Sequence, residues 1–391
     1  MSSSTPGSAW LVGLDVGGSG SRLVARRLDD APASSVEVSH DVLLTGRPVA
    51  IGPAGSDAVD VVRDLLARLH AHVPSLAADG VAAAAVGATG LASLVRDPAD
   101  LHTALRAGLP APTPTPAEHD MEVALGGKTA SKTGSTAGDV VLGDGTSDGG
   151  ALRTAVAADA LTAHLGALAG RPGAVVAVGT GAIALGTDLR DVWQRVDGWG
   201  HLLGDFGSGS WIGAQGLRAA VAAHDGRDTG GSTALLVAAT ERFGPVPTWP
   251  AQLYTRPDRA QVLASFTPDV AAAAAGGDVV ARQVLTGAGT HLATTLAAAL
   301  VDGVPPLAAA TGGVLGIGPL LTGAFRARLG VLRPDVELVD PAGTPLDGAL
   351  HLAARLATDP GSVVGHEPWL TLDEPPPPST APPHPTTPEE D

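Results

Sequence analysis

The chain has no cysteine among its 391 residues. It therefore cannot form disulfides, and it has no thiolate for an iron–sulfur cluster, a zinc site or nucleophilic catalysis. Aromatic residues make up only 3%, so Val, Leu and Ala must build the core. No stretch is apolar for long enough to span a bilayer, and the first ten residues lack the basic and apolar regions of a signal peptide. We therefore expect a cytoplasmic protein without membrane association.

Positive charge is also scarce. The 24 Lys and Arg residues face 40 Asp and Glu residues, which gives a formal net charge of −16. Such a balance disfavours binding to the phosphate backbone of nucleic acids, so we expect no nucleic-acid partner. A nucleotide phosphate would have to be bound by backbone N–H groups, Arg and a metal ion.

Glycine and proline, by contrast, are abundant, with 52 and 32 copies. Apolar runs alternate with segments of helical periodicity, which predicts an α/β protein, and the length suffices for two domains. The apolar run from Trp10 to Leu14 is the first predicted strand, and it is predicted to form a hairpin with the segment SRLVARRL. The further predicted strands are Val81–Val86, Leu152–Ala158, Ala174–Val178 and Leu307–Ala310. The predicted helices are Val59–Leu69, Leu101–Leu109, Ala160–Ala169, Trp211–Ala223, Val280–Leu300 and Leu346–Leu356.

Composition divides the chain into five parts. We predict an N-terminal domain at 10–110, a Gly/Ser/Thr/Pro-rich insert at 111–150, a C-terminal domain at 151–343, a C-terminal helix at 344–358 and a disordered acidic Pro-rich tail at 373–391. The insert is interpreted as a linker, with a substrate lid as the alternative.

Three glycine turns each follow an apolar strand. Glycine lets the backbone approach phosphate oxygens closely and aim consecutive N–H groups at one anion. A plain structural turn is the alternative at each place. The residues predicted to bind the phosphates or the nucleoside are Gly17, Gly18, Ser19 and Ser21, then Gly179 and Gly181, then Gly312 and Gly313.

Two acidic residues stand where strands end. Asp15 is predicted to bind magnesium, because hard cations prefer oxygen ligands, and an Asx-type turn is the alternative. Asp159 suits a general base that accepts the proton of a hydroxyl as that hydroxyl attacks a terminal phosphate. Its alternative is an N-cap of the following helix, and both roles are compatible.

A glycine-paced loop, GWGHLLGDFGSGSWIG, runs from Gly198 to Gly213. Its Asp205 is a candidate acceptor for two sugar hydroxyls, Trp199 a candidate apolar wall, and Gly198 and Thr180 further candidate substrate contacts. As an alternative, Asp205 or Ser208 caps the next helix. His201 is interpreted as a structural residue of the loop rather than a catalyst.

These motifs resemble the sugar kinase, actin and heat-shock ATPase superfamily, and within it the N-acetylglucosamine kinase and BadF/BadG-type ATPase family. The resemblance covers most of the chain from Trp10 to Leu356 and rests on DVGGSGSR, AADALTAHLGA, GTGA, GWGHLLGD followed by GSGSWIG, and ATGGVL. It implies two ribonuclease-H-like domains that close over ATP, Mg²⁺ and a sugar. It also implies that Asp159 is the base and that PLDGALHLA packs back on the N-terminal domain.

The resemblance implies an ATP-dependent kinase for the 6-hydroxyl of an amino sugar, with N-acetylglucosamine first and glucosamine second. A sensing protein without catalysis stays open, whereas the missing cysteines disfavour an iron–sulfur activator. The family pattern has Gly, an acid and often Ser at the positions that Asp197, Phe206 and Ala182 occupy in this chain. Asp197 is thus a hypothetical partner for an unacetylated amine. A homodimer fits the resemblance, although no stretch identifies an interface.

Overall fold

The computed structural model describes residues 9–18, 20–28, 41–52, 55–91, 97–112, 151–227 and 229–373. Of residues 51 and 52 it describes the backbone only. Most of the predicted insert and all of the predicted tail beyond Asp373 lie outside this part of the chain, as does Ser19. The described residues form two large mixed sheets, a two-stranded ribbon and the helices that pack on them.

The strands are numbered along the chain. They are β1 Trp10–Gly17, β2 Gly20–Arg27, β3 Val42–Gly46, β4 Ile51–Gly52, β5 Gly55–Ser56, β6 Val81–Ala88, β7 Arg153–Ala158, β8 Gly173–Val178, β9 Ala182–Thr187, β10 Trp193–Asp197, β11 Leu307–Thr311, β12 Glu337–Val339 and β13 Leu370–Asp373.

The helices are of very different lengths. They are α1 Ala58–His72, α2 Leu76–Asp79, α3 Pro98–Gly108, α4 Asp159–Ala167, α5 Gly209–His224, α6 Thr233–Phe243, α7 Trp249–Tyr254, α8 Arg259–Ser265, α9 Thr267–Ala275, α10 Val279–Ala299, α11 Pro319–Leu332 and α12 Pro345–Thr358. Several begin with proline in the first turn, where its missing N–H costs no hydrogen bond.

The two large sheets share one topology. The first has the order β13-β7-β6-β1-β2-β3 and the second β10-β9-β8-β11-β12. In each, three consecutive strands form an antiparallel meander, and two later strands add in parallel beside the first of the three. The repeated order confirms the predicted α/β class with two ribonuclease-H-like units.

The predicted elements agree with the observed ones to within a few residues, with three differences that matter. Asp159 is the first residue of α4 rather than the residue before it. Asp373, predicted as the start of the tail, ends β13 and pairs with Thr154 of β7. Strand β7, predicted within the second domain, belongs to the first sheet. The division into domains otherwise stays a prediction.

Small residues let α12 lie very close to its neighbours. A Cβ on Gly348 would stand 1.9 Å from the carbonyl oxygen of Thr162 in α4, and a Cβ on Gly13 would stand 2.8 Å from the backbone nitrogen of Leu350. Helix α12 therefore packs on β1 and α4 beneath the first sheet. This contact positions the start of α4, and with it Asp159.

Candidate functional site

Three polar side chains meet at the carboxyl ends of β1, β6 and β7. Asp15 pairs with Gly87 of β6, which in turn pairs with Ala157 of β7. Thr89 directly follows β6, and Asp159 directly follows β7. Because parallel strands end at the same edge, Asp15, Thr89 and Asp159 share one rim of the first sheet. In open α/β sheets this edge is where ligands bind.

Asp159 has a fixed carboxylate. Its Oδ2 accepts a hydrogen bond of 2.8 Å from Thr89 Oγ1, and its Oδ1 accepts one of 2.8 Å from the backbone N–H of Ala160. Burial raises the pKa of Asp159, while the two hydrogen bonds and the charge of Arg195 act in the opposite direction. Asp159 is thus a proton acceptor made more basic by its surroundings and held in one orientation.

Asp15 lies close enough to Asp159 for the two charges to interact. Burial raises the pKa of Asp15 to about 6, the cross-strand neighbour Arg22 opposes this, and the charge of Asp159 adds to it. A buried carboxylate whose ionisation a second carboxylate disfavours is one that a bound cation would stabilise. The donor set fits a magnesium ion, which typically uses one or two carboxylates together with phosphate oxygens.

The first glycine turn joins β1 to β2. A Cβ on Gly17 would stand 3.3 Å from Thr89 Oγ1, so this turn lies beside the rim that holds Asp159. Ser21 is buried, and its hydroxyl has no hydrogen-bond partner in the described part of the chain. The predicted phosphate contacts of Gly17, Gly18 and Ser21 stay predictions.

The second glycine turn joins β8 to β9 and is tied to the start of α5. The N–H of Gly179 donates to the carbonyl of Gly181, with a distance of 2.8 Å. The carbonyls of Gly179 and Thr180 accept hydrogen bonds from the N–H groups of Gly209 and Ser210. These bonds fix the turn rigidly at the carboxyl end of β8, where the sequence predicted it.

Asp205 lies against this second turn. A Cβ on Gly181 would stand 2.8 Å from its Oδ2, so a larger residue there would displace the Asp205 carboxylate. Its Oδ1 accepts a hydrogen bond of 3.2 Å from the N–H of Gly200. Burial raises the pKa of Asp205, and the neighbouring charge of Asp197 raises it further. The structure therefore brings the predicted sugar loop and the predicted second phosphate turn together.

Asp197 organises the glycine-paced loop. Its Oδ1 accepts hydrogen bonds from the N–H groups of Gly198 and Asp205, and its Oδ2 accepts one from Phe206, over distances of 2.6 to 2.9 Å. Asp197 and Asp205 both adopt positive φ, at 64° and 57°, which non-glycine residues rarely do. The backbone thus uses both oxygens of Asp197 to hold the loop, and the hypothesis that Asp197 pairs with a sugar amine stays a prediction.

Arg195 is a site residue that sequence reasoning missed. It projects from β10, where its Nε donates to the carbonyl of Asp197 and its Nη2 to the carbonyl of Gly198. Its guanidinium lies over the ring of Trp199, 4.1 Å from the ring centroid. Trp199 is 63% exposed, so the stacked pair presents a flat indole at the surface of the predicted sugar loop.

The charge of Arg195 acts on both halves of the site. It lowers the pKa of Asp159, which belongs to the first sheet, and the pKa of Asp205, which belongs to the loop after the second sheet. In both carboxyls burial outweighs it and raises the pKa overall. Arg195 therefore lies close enough to both Asp159 and Asp205 for its charge to act on each carboxyl.

The third glycine turn follows β11. Gly312 has φ 109°, and a Cβ on it would stand 2.1 Å from the carbonyl oxygen of Val178, so this position requires glycine. The turn borders a cavity of about 240 Å³ whose lining includes Thr311, Gly312, Phe325 and Asp340. Gly313 begins a short 3₁₀ helix, Gly313–Ile317, on the rim of this cavity.

The capping alternatives are settled at two positions. Ser208 is the N-cap of α5 and accepts a hydrogen bond from Trp211 N–H, so Asp205 is free of that role. Ala158 is the N-cap residue of α4, and its side chain accepts no hydrogen bond.

The described residues contain no cluster of three or more His, Cys, Asp and Glu side chains that would hold a metal ion by themselves. In the same part of the chain, no helix combines the length and apolarity that a membrane crossing requires.

Comparison with known proteins gives similarities of both sequence and structure. A family model, the BadF/BadG/BcrA/BcrD ATPase family, matches residues 115–329. An N-acetylmuramic acid/N-acetylglucosamine kinase of Clostridium acetobutylicum is 28% identical over 202 residues, which are 50% of this chain and 65% of that protein. The match thus spans just under two thirds of the relative's length.

Two solved structures share the fold. A provisionally assigned N-acetylglucosamine kinase from Chromobacterium violaceum superimposes with a TM-score of 0.59 at 23% identity, over 88% of this chain and 99% of its own. A second one, from Porphyromonas gingivalis, gives 0.54 at 14% identity, over 89% and 99%. Since the family model covers more than half of the sequence, the chain belongs to the BadF/BadG/BcrA/BcrD ATPase family, with distant homology to N-acetylglucosamine kinases.

Proposed function

We propose that this protein is an ATP-dependent sugar kinase that phosphorylates the 6-hydroxyl of an amino sugar, N-acetylglucosamine in the first place. One observation carries the proposal. The oriented carboxylate of Asp159 and the carboxylate of Asp205 both lie within reach of the charge of one residue, Arg195. A base across a cleft from a hydroxyl-binding loop is the arrangement that phosphoryl transfer to an alcohol needs.

Asp159 is the proposed general base. The acceptor hydroxyl gives its proton to the Asp159 carboxylate as its oxygen bonds to the γ-phosphorus of ATP, and the bond from that phosphorus to the β-phosphate oxygen breaks, leaving ADP. The Thr89 hydrogen bond occupies Oδ2 and the Ala160 N–H lies on Oδ1. Each oxygen keeps a second lone pair, which leaves room for the incoming hydroxyl.

The loop after β10 is the proposed sugar site. Asp205 would accept hydrogen bonds from two sugar hydroxyls, and the exposed face of Trp199 would cover the apolar face of the ring. Gly198 and Thr180 are the further proposed contacts. The backbone hydrogen bonds to Asp197 hold the loop in its conformation before the ligand arrives, which reduces the entropy cost of binding.

The three glycine turns are the proposed ATP site. The nucleoside would enter the cavity beside Gly312 and Gly313, and the phosphates would extend past Gly179 and Gly181 toward Gly17 and Gly18. Backbone N–H groups are a fitting partner because the chain carries so few cationic side chains. Ser19 and Ser21 stay proposed as additional phosphate contacts.

Asp15 is the proposed magnesium residue. A bound Mg²⁺ would supply charge neutralisation to the phosphates of ATP. The positive charge of the ion beside Asp15 would also offset the repulsion between the charges of Asp15 and Asp159. Asp15 would hold it directly or through water, as magnesium sites with few protein ligands commonly do.

N-acetylglucosamine is preferred to glucosamine as the acceptor. The preference draws support from the kinase of Clostridium acetobutylicum, whose name specifies N-acetylated sugars. It also draws support from Asp197, since the carboxylate considered for a free amine is buried and already accepts three backbone hydrogen bonds. Glucosamine is therefore the second acceptor to test.

Phosphorus NMR of the product tests the proposal. The protein is incubated with MgATP and one sugar at a time: N-acetylglucosamine, glucosamine or N-acetylmuramic acid. We expect a new phosphomonoester signal whose coupling to the C6 protons places the phosphate on the 6-hydroxyl. A signal of inorganic phosphate alone would mean hydrolysis instead of transfer and would contradict the proposed function.

A further inference from the structure

Five buried basic nitrogen atoms have no hydrogen-bond partner in the described part of the chain, and two of them belong to segments near the proposed site. These two are Nε of Arg259, at the start of α8, and Nε2 of His201, in the glycine-paced loop. Polar atoms shielded from water are almost always paired in folded proteins, so an orphaned pair at one place indicates a missing partner. Neither side chain has a role in the proposed catalytic step.

The two side chains lie close to each other. Burial lowers the pKa of His201, and the charge of Arg259 lowers it further. The nearest acid in sequence, Asp258, does not serve Arg259, because both of its oxygens accept hydrogen bonds of 2.7 Å from Arg256. An anion would satisfy both orphaned nitrogens and offset the charge of Arg259.

Helix α8 lies between the first and second glycine turns. On one side, a Cβ on Gly18 would stand 3.8 Å from the side-chain nitrogen Nε2 of Gln261. On the other side, a Cβ on Gly209 would stand 3.2 Å from Cβ of Ala264, and Gly209 itself donates to the carbonyl of Gly179. Arg259 therefore projects from a helix that touches both places where phosphates are proposed to bind.

We propose that Arg259 and His201 form a phosphate-binding pair that contacts the terminal phosphates of the nucleoside triphosphate. The guanidinium offers planar N–H donors suited to phosphate oxygens, and a neutral imidazole protonated on Nε2 adds one more donor. The pair supplies side-chain donors at a site otherwise built from backbone N–H groups. This inference rests on the proposed nucleotide site and corrects the expectation that His201 is purely structural.

Binding measurements without any sugar test the pair separately from catalysis. Calorimetry with inorganic tripolyphosphate and with MgATP is applied to wild type, Arg259→Met, Arg259→Lys, His201→Leu and His201→Gln. We expect Arg259→Met and His201→Leu to weaken both ligands by about 10- to 100-fold, since each removes a hydrogen bond to a charged group. Arg259→Lys and His201→Gln, which keep a donor, should lose less than the truncations.

Arg227→Met is the matched control. It removes an exposed arginine whose partner is Asp225, and we expect affinities within about two-fold of wild type. Melting temperatures complete the experiment. Removing an unpartnered buried donor should leave the stability of the ligand-free protein unchanged or higher. A marked loss of stability in Arg259→Met would mean a structural role and would overturn the proposal.

The two proposals can fail independently. Wild-type affinity for tripolyphosphate and MgATP in folded Arg259→Met would overturn the phosphate-binding pair while leaving sugar phosphorylation untouched. Conversely, tripolyphosphate binding that depends on Arg259, in a protein whose turnover no sugar stimulates, would support the pair and count against the kinase.

Discussion

Thr89 and Asp159 are joined by a hydrogen bond of 2.8 Å across 70 residues of sequence. The hydroxyl of Thr89 donates to Oδ2 and so stabilises the ionised carboxylate against the burial that raises its pKa. One short contact between the ends of two neighbouring strands thus sets both the orientation and the basicity of the proposed catalytic residue.

Replacing Thr89 with valine tests this contact. Thr89→Val keeps the shape but removes the donor, so the pKa of Asp159 should rise further and the acidic limb of the pH–rate profile should move to higher pH. We expect kcat/KM near neutral pH to fall by about 10-fold, the worth of one hydrogen bond to a charged group. Thr89→Ser should restore the profile. An unshifted acidic limb in Thr89→Val would contradict the proposed role of the contact.

Replacing Asp159 with asparagine removes the proposed base. We expect Asp159→Asn to lose about 10²- to 10⁴-fold in kcat, the usual contribution of general-base catalysis, with MgATP affinity close to wild type. Its stability should match or exceed that of wild type, because an amide avoids the desolvation that raises the carboxyl pKa. Undiminished sugar-dependent turnover in this variant would remove Asp159 from the mechanism.

Replacing Asp197 tests the organisation of the sugar loop. Asp197→Ala leaves three backbone N–H groups without their acceptor, so we expect the free energy of unfolding to fall by about 3 kcal/mol. The KM for the sugar should rise more than the KM for MgATP, since the affected loop carries Trp199 and Asp205. For Asp197→Asn, which keeps one acceptor oxygen, we expect a stability and a sugar KM between those of wild type and Asp197→Ala. Equal effects on both KM values would argue against a sugar-specific loop.

His164 predicts how stability depends on pH. Burial lowers its pKa from 6.5 to about 4, although its Nε2 hydrogen bond to the carbonyl of Gly173 opposes this. Between pH 6.5 and pH 4 the unfolded chain therefore binds a proton that the folded chain does not. Over this range acidification should lower the free energy of unfolding by roughly 3 kcal/mol.

Denaturant unfolding between pH 4.5 and 7.5 measures this dependence. His164→Gln should flatten the slope below pH 6.5, whereas His70→Gln, at an exposed position, should leave it unchanged. The same slope in His164→Gln as in wild type would show that other groups cause it.

Gly166 tests the close packing of α12 on α4. A Cβ at this position would stand 1.9 Å from the carbonyl oxygen of Thr344, so Gly166→Ala forces the two helices apart. We expect a loss of about 1 to 3 kcal/mol in the free energy of unfolding, as for other overpacked sites. Gly323→Ala in α11, where no atom lies within 4 Å, should instead stabilise by about 0.5 to 1 kcal/mol. A stable Gly166→Ala would contradict the packing described.

Much of the fold could be predicted from the sequence. The apolar runs before Asp159 and Thr311 are strands, as predicted, whereas β1 continues two residues past Asp15, which was predicted to end it. The end of a strand can be predicted locally, because the sequence changes there from apolar to polar residues. The same holds for the glycine-paced loop and for α5, which Ser208 caps.

What could not be predicted depends on contacts between distant segments. The sequence of β13 has no strong strand pattern. This strand forms because it pairs with β7, about two hundred residues earlier in the chain. Helices α6 to α9 are short, and glycine and proline stand between them or in their first turns, so each offers few residues from which to detect a period. The roles of Thr89 and Arg195 have the same origin, since each becomes visible only when its strand lies next to a partner.

Sugar-dependent release of ADP tests the central claim most directly. The protein is supplied with MgATP and N-acetylglucosamine, glucosamine, N-acetylmannosamine, N-acetylmuramic acid, glucose or no sugar, beside Asp159→Asn as the inactive control. We expect N-acetylglucosamine to stimulate ADP release strongly in the wild type and not at all in Asp159→Asn. ADP release that no sugar raises above the background would contradict the assignment as an amino-sugar kinase.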